Sequence, residues 1–150
     1  MKKLGWAAFC GWWLAGVAGL ATAGEAMPVI ELSAGMHRIE AEVAAEDRHR
    51  QTGLMQRETM PVQRGMLFVF PQENTHCMWM RNTLIPLSVA FIDREGYIIN
   101  IEEMAPKTED NHCAKLPARY ALEMNQGWFA KRGIARGARL RGLERAPTPR

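Results

Sequence analysis

The chain has 150 residues, with 19 Lys and Arg against 16 Asp and Glu, a formal net charge of +3 and 47% hydrophobic residues. That balance excludes a wholly disordered chain, and the length suits one domain with little room for two. An isoelectric point near 9.0 raises a nucleic-acid or membrane partner, which the placement of the charges must then support.

Lys2 and Lys3 precede an uncharged run from Leu4 to Gly24, rich in Ala, Gly, Leu and Trp, with Ala21-Thr22-Ala23 near its end. A basic start, an apolar middle and a small-x-small exit describe a secretory signal peptide over residues 1–23, cleaved near Ala23. A retained membrane anchor is the competing reading, because the run is long enough to span a bilayer. Cleavage makes the remainder periplasmic or secreted. It also removes Cys10 and leaves Cys77 and Cys113, a natural disulfide pair in an oxidising compartment. Closing that loop would stabilise the fold by about 4 kcal/mol through chain entropy.

The charges are uneven once the signal is set aside. Residues 24–130 hold 10 basic and 15 acidic side chains, a balance of −5, whereas residues 131–150 hold 7 basic and 1 acidic, a balance of +6. The basic isoelectric point therefore reports the signal and an Arg-rich C-terminal segment on an acidic body. Export makes nucleic acid a poor partner. A weak, salt-sensitive contact of the C-terminal segment with an anionic envelope surface is what the pattern leaves.

Residues 24–36 form an N-terminal lead-in with a short strand expected at Val29–Leu32. His37 to Val43 alternates polar and apolar, the pattern of a half-buried strand. Ala44 to Met55 turns helical and should end near Gly53. Met66-Leu67-Phe68-Val69-Phe70 is a continuous apolar run that suits a buried strand stopped by Pro71. Cys77 to Met80 is a further short strand, followed by a polar turn at Arg81-Asn82-Thr83. Leu87 to Asp93 and Tyr97 to Met104 are strands joined by Arg94-Glu95-Gly96, whose Gly can take the left-handed conformation. A loop covers Ala105 to Pro117. Tyr120 to Asn125 is a strand, Trp128 to Lys131 one helical turn that exits at Gly133, and Arg139 to Leu143 a last strand. Residues 144–150 read as a disordered tail. Short strands with frequent Gly and Pro predict a mainly β domain with few short helices, an antiparallel barrel-like or sandwich-like unit over residues 37–143.

Gly53-Leu54-Met55-Gln56-Arg57, Gly65-Met66-Leu67-Phe68-Val69-Phe70 and Met78-Trp79-Met80-Arg81-Asn82-Thr83-Leu84-Ile85-Pro86-Leu87 together carry a resemblance. So do Phe91-Ile92-Asp93, Gly96, Pro106, Ala121-Leu122-Glu123, Gly127, Gly133-Ile134 and Gly137. The chain resembles the domain of unknown function (DUF) family 192 over about residues 37–143. The resemblance implies a small, mainly β, often exported domain and supplies no reaction, ligand or agreed site residues. Cys77 and Cys113 lie beside the shared motifs.

Polar residues near Trp79 are the candidates for a ligand rim: an aromatic supplies contact area, while Arg81, Asn82 and Thr83 supply direction. Asn82 and Thr83 suit a purely structural turn better than a ligand contact. Arg57 and Glu123 are charges set among apolar residues. The alternation Ala121-Leu122-Glu123-Met124 is expected to leave Glu123 on the solvated face. Turned inward, it would need a partner, with Arg57, Arg81 or Arg119 as candidates.

Two alternatives concern metals. His76-Cys77 and His112-Cys113 have the ligand types of a zinc set, although neighbours on a strand point to opposite faces. Met78 and Met80 would share a strand face and suit Cu(I), although Met more often fills core gaps. Catalysis finds little support. Ser33 and Ser88 lie in no nucleophile-elbow pattern, no C-x-x-C exists, and no Gly motif cradles a phosphate. The expectation is therefore a monomeric, non-enzymatic binding or accessory domain of the cell envelope without a cofactor, taking a small molecule, a glycan or an envelope protein as ligand. An uncharacterised enzyme is the remaining alternative.

Overall fold

The computed structural model describes residues 26–150, so the signal-peptide reading of residues 1–23 lies outside the described residues. Its elements are β1 (Val29–Ala34), β2 (His37–Ala44), α1 (Asp47–Thr52), β3 (Arg64–Asn74), β4 (Cys77–Met78), β5 (Leu87–Ile92), β6 (Ile98–Met104), β7 (His112–Cys113), β8 (Ala118–Asn125) and β9 (Leu140–Arg141), with one-turn 3-10 helices at Ala130–Arg132 and Leu143–Arg145. The protein is mainly β. Seven strands form one sheet in the order β6-β5-β8-β3-β2-β1-β9, and β4 pairs with β7 in a separate two-stranded ribbon.

The sheet curls into a half-barrel. A bridge between Tyr97 and Arg139 brings its two ends together, reinforced by backbone bonds from Ile98 N–H to the Ala138 carbonyl and from Leu140 N–H to the Gly96 carbonyl. The neighbours are antiparallel except β2 and β3, which run parallel with Ala41 opposite Gly65 and Val43 opposite Leu67. A parallel pair needs a crossover, and residues 45–63, with α1, supply it.

Both sheet faces are buried against separate cores. The first gathers Leu32, Ile39, Leu122, Trp128, Leu140 of β9 and Ile98 of β6, from both ends of the sheet, so the curl encloses it. The second lies on the opposite face of β3, β5 and β8 and includes Leu54, Met66, Phe68, Met80, Val89 and Phe91. Full burial of a side chain such as Phe91 contributes about 1.5–3 kcal/mol. Crossover residues and the segments around β4 and β7 cover this second face. Because β8 lies between β3 and β5, its side chains on both faces are packed. Gly65 of β3 permits that close approach: a Cβ there would lie 2.3 Å from Met124 Sδ and 2.5 Å from the Glu123 carbonyl oxygen.

Several local readings depart from the sequence, among them a short strand at His112–Cys113 inside the expected loop and a last strand confined to Leu140–Arg141. The helix expected over Ala44 to Met55 is confined to Asp47–Thr52, because Gly53 takes φ 49° and turns the chain. β3 runs past Pro71 to Asn74, and its pairing with β8 shifts register between Val69 and Asn74, an irregularity at which a proline is tolerated. The strand expected over Cys77 to Met80 stops at Met78. The hairpin between β5 and β6 forms as read. Asp93 closes its turn, accepting hydrogen bonds from Tyr97 N–H on its side chain at 2.8 Å and from Gly96 N–H on its carbonyl at 3.2 Å. In the C-terminal segment read as a loose tail, Arg150 N–H donates to the Ala45 carbonyl at 2.8 Å and the Arg150 carbonyl accepts from Asp47 N–H at 3.1 Å.

A carboxyl in an apolar cavity beneath Trp79

Glu123 is the starting point of the site. Within β8 it shares a face with Ala121, and its register partners are Met66 on β3 and Val89 on β5. All three belong to the second core. Glu123 is 4% exposed, which corrects the expectation of a solvated side chain. Alternation identifies the two faces of a strand, but it marks one as solvent only when that face is uncovered, and here the crossover covers it.

None of the three expected arginine partners reaches Glu123. Arg57 forms a bidentate pair with Glu42, with both N···O distances 2.6 Å. Arg81 lies 3.7 Å from Glu109, and Arg119 donates to the Pro71 carbonyl at 2.6 Å. Among the described residues the Glu123 carboxyl has no hydrogen-bond or ion-pair partner. Burial in apolar surroundings pushes its pKa up to about 8, so the acid is largely neutral at pH 7 and can donate a hydrogen bond as well as accept one.

The carboxyl meets a cavity of about 30 Å³, whose walls include Met55, Phe68, Met78, Trp79 and Thr83. Each wall has a local cause. The end of α1 and the turn at Gly53 deliver Met55, and a Cβ at Gly53 would lie 3.3 Å from the Phe68 ring, so the absent side chain lets the crossover close over Phe68. On the other side, the Cys77–Cys113 disulfide joins directly opposed residues of β4 and β7 and so fixes the backbone that leads into Met78 and Trp79. Trp79 is 45% exposed while lining the cavity, which places it at the mouth. The Arg81 guanidinium lies 5.6 Å from its ring centroid, within cation–π range. Gln56 N–H donates to the Asn82 carbonyl at 2.9 Å and links the two lips.

The predicted rim residues thus have different stations. Trp79, Thr83 and Glu123 line the cavity, and Arg81 covers the outer face of Trp79. Asn82 is exposed in the left-handed turn conformation at φ 56°, the structural role its residue type allows. Arg57 is held by Glu42. Sequence reasoning missed Gly53, Met55 and Phe68 as walls of the site. The only signal for them was their place in motifs shared with the family.

The zinc arrangement does not assemble. Cys77 and Cys113 are bonded to each other, and a disulfide sulfur is not a thiolate ligand. His76 stacks on Phe70 with ring centroids 3.7 Å apart, and its Nε2 lies 2.8 Å from the Gln72 carbonyl. His112 Nε2 is buried with no hydrogen-bond partner among the described residues. Met78 lines the cavity and packs at the edge of the second core, in which Met80 is fully buried. No group of three or more His, Cys, Asp and Glu able to hold a metal ion occurs among the described residues.

A second polar cluster surrounds Ser88, whose hydroxyl lies 2.8 Å from both Glu103 carboxylate oxygens and accepts from Gly127 N–H at 2.8 Å. Ser88 is fully buried. The cluster ties β5 and β6 to the turn after β8.

Two solved structures share this architecture. A solved structure from Sinorhizobium meliloti 1021, named as a candidate transcription regulator, is 35% identical and superposes with a TM-score of 0.70 over 77% of this chain and 92% of its own. A protein of unknown function from Novosphingobium aromaticivorans DSM 12444 is 29% identical, with a TM-score of 0.71 over 75% of this chain and 84% of its own. No curated protein matches. The sequence profile of DUF192, described as an uncharacterized ACR family, matches residues 29–142. With that span and the shared curled sheet, the chain belongs to the DUF192 family.

Proposed function

We propose that this protein is an exported small binding domain of the cell envelope, non-enzymatic, which receives part of a ligand in the cavity between Trp79 and Glu123. One observation carries the reading: a buried carboxyl without a partner among the described residues lines a cavity whose mouth is a half-exposed tryptophan. An unpaired buried carboxyl costs stability, and a bound group that pairs with it would recover that cost. The N-terminal run of residues 1–24 supports export, and the disulfide is consistent with an oxidising compartment. The transcription label of the Sinorhizobium protein gains little from the acidic body of this chain.

The test is recovery of the protein from its native compartment, followed by native mass spectrometry. Trp79→Ala and Arg81→Ala should each remain folded, because Trp79 is half-exposed and Arg81 more than half-exposed, and each should lose the copurifying ligand. If both variants unfold, the motif is structural and the reading falls. N-terminal sequencing of the same material should begin near Gly24.

A metal reading keeps one observation in its favour: two thioethers, Met55 and Met78, line the cavity with Glu123, a donor set that suits a soft cation such as Cu(I). Elemental analysis of protein purified without a metal-affinity tag decides it, and absence of stoichiometric metal removes it.

A further inference from the structure

We propose that the cavity beneath Trp79 is a socket for a primary ammonium group at the tip of an unbranched alkyl chain, with Glu123 as its counter-ion. This rests on the reading of the cavity as a binding site and names the chemistry of what enters it. Size sets the first limit. A volume of about 30 Å³ holds roughly two waters, since one water requires about 10–15 Å³ by the same measure. That admits an ammonium and an adjoining methylene, and it excludes a guanidinium or a quaternary ammonium.

Charge sets the second limit. The socket contains an acid, and among the described residues no cation is placed to meet it. Arg50 is the other charged residue on its wall, and its guanidinium is taken up by the carbonyls of Ala45, Val69 and Arg150 and by Asp47. Arg57 is occupied by Glu42, and Arg81 lies outside over Trp79. A positive charge brought by a ligand would thus meet no competing cation among the described residues, and it would favour the ionised form of the acid. The remaining walls agree with a cation. The faces of Trp79 and Phe68 attract positive charge, and the sulfurs of Met55 and Met78 are polarizable. The Thr83 hydroxyl offers an acceptor besides the carboxylate.

Binding is an ion exchange that balances. The neutral acid gives its proton to water, and the carboxylate that remains pairs with the incoming ammonium. No covalent bond to carbon is made or broken. Below the pKa of the buried acid, one proton is released per ammonium bound, so the apparent affinity rises about tenfold per pH unit from pH 5.5 to 7.5.

The experiment titrates the protein with n-butylammonium and, separately, with its neutral counterpart n-butanol, following the Glu123 side-chain carboxyl carbon and the Trp79 indole N–H by NMR. The expected result is saturable binding of n-butylammonium, with the carboxyl carbon moving to its ionised position at pH 6.5. Binding of n-butanol should be at least about tenfold weaker, in line with a charge-assisted hydrogen bond. E123Q, with an unchanged backbone spectrum, should lose the ammonium preference. Once n-butylammonium binds, comparing Nα-acetyl-lysine amide with putrescine identifies a lysyl side chain or a free diamine as the source, and tighter binding of either supports the proposal. Equal binding of n-butanol and n-butylammonium, retained in E123Q, would overturn the ammonium assignment while leaving the cavity a binding site. If neither probe perturbs Glu123 or Trp79, both the assignment and the binding reading fall.

Discussion

Replacing Glu123 with Gln keeps the shape of the side chain and removes its proton equilibrium, so the pair of proteins isolates one titration. In the folded protein the carboxyl is pushed up to about 8 by burial, against 4.5 for an ordinary glutamate. Between those two values the folded state holds a proton that the unfolded state has released. The wild type should therefore lose stability as pH rises, by about 1.4 kcal/mol per unit while the pH lies well inside that window. From pH 5 to pH 7.5 the accumulated loss relative to Glu123→Gln is about 3 kcal/mol, a large share of the total stability of a domain this size. Below pH 4.5 both states are protonated and the effect is absent, and above pH 8 both are ionised and the penalty is complete. Urea unfolding of both proteins at half-unit pH intervals measures it, since other titrating groups cancel in the difference. A fixed offset is expected from the exchange of a carboxyl for an amide, and the slope carries the information. A difference independent of pH would show that Glu123 is ionised in the folded protein across that range, whether solvated or paired, which refutes the account of its environment.

Other perturbations test the rest of the architecture. Arg57→Ala should destabilise by about 1–2 kcal/mol, the scale of a partly exposed, charge-assisted pair. The hydrogen bonds from Arg57 hold the Glu42 carboxyl below its ordinary range, so that contribution is present above about pH 4.5 and should fade as acid protonates Glu42. Gly65→Ala forces a Cβ against Met124 and the β8 backbone and should cost about 2–3 kcal/mol in chemical denaturation. An unchanged midpoint would mean that β3 and β8 are less tightly apposed. Replacing Cys77 and Cys113 together with Ser should cost about 4 kcal/mol by chain entropy, and thiol titration of the denatured, unreduced wild type should find neither cysteine free.

Local pattern was enough to locate most strands and the hairpin at Asp93 to Tyr97, because turn chemistry and short apolar runs are properties of adjacent residues. It could not supply the strand order. Pairings such as Gly65 with Met124, or the parallel contact of β2 with β3, join residues that the sequence alone leaves unconnected. The same limit explains Glu123. Its neighbours Leu122 and Met124 are apolar, and a simple alternation assigns it to water. Only the register against Met66 and Val89, together with the crossover that covers them, turns that face into a core. Trp79 and Thr83 were visible as candidates because polar and aromatic types stand together there. Met55 and Phe68 were not, since an apolar residue that lines a cavity looks in sequence like one that fills a core.

The central position of β8 has a kinetic consequence. Strands β1 to β3 can associate as one unit and β5 with β6 as another, but the two units share no direct pairing in the sheet. Two late-arriving segments join them: β8 between β3 and β5, and the segment into β9, which bridges Tyr97 to the edge of β1. Contacts that must wait for such a distant segment slow folding and leave strand edges open in the meantime. Of the two, β8 also carries Glu123 into its apolar surroundings, so the carboxyl must shed its hydration, and at neutral pH take up a proton, as that strand joins the sheet. Refolding should accordingly be faster in mild acid than at neutral pH, with the acceleration lost in the Gln variant.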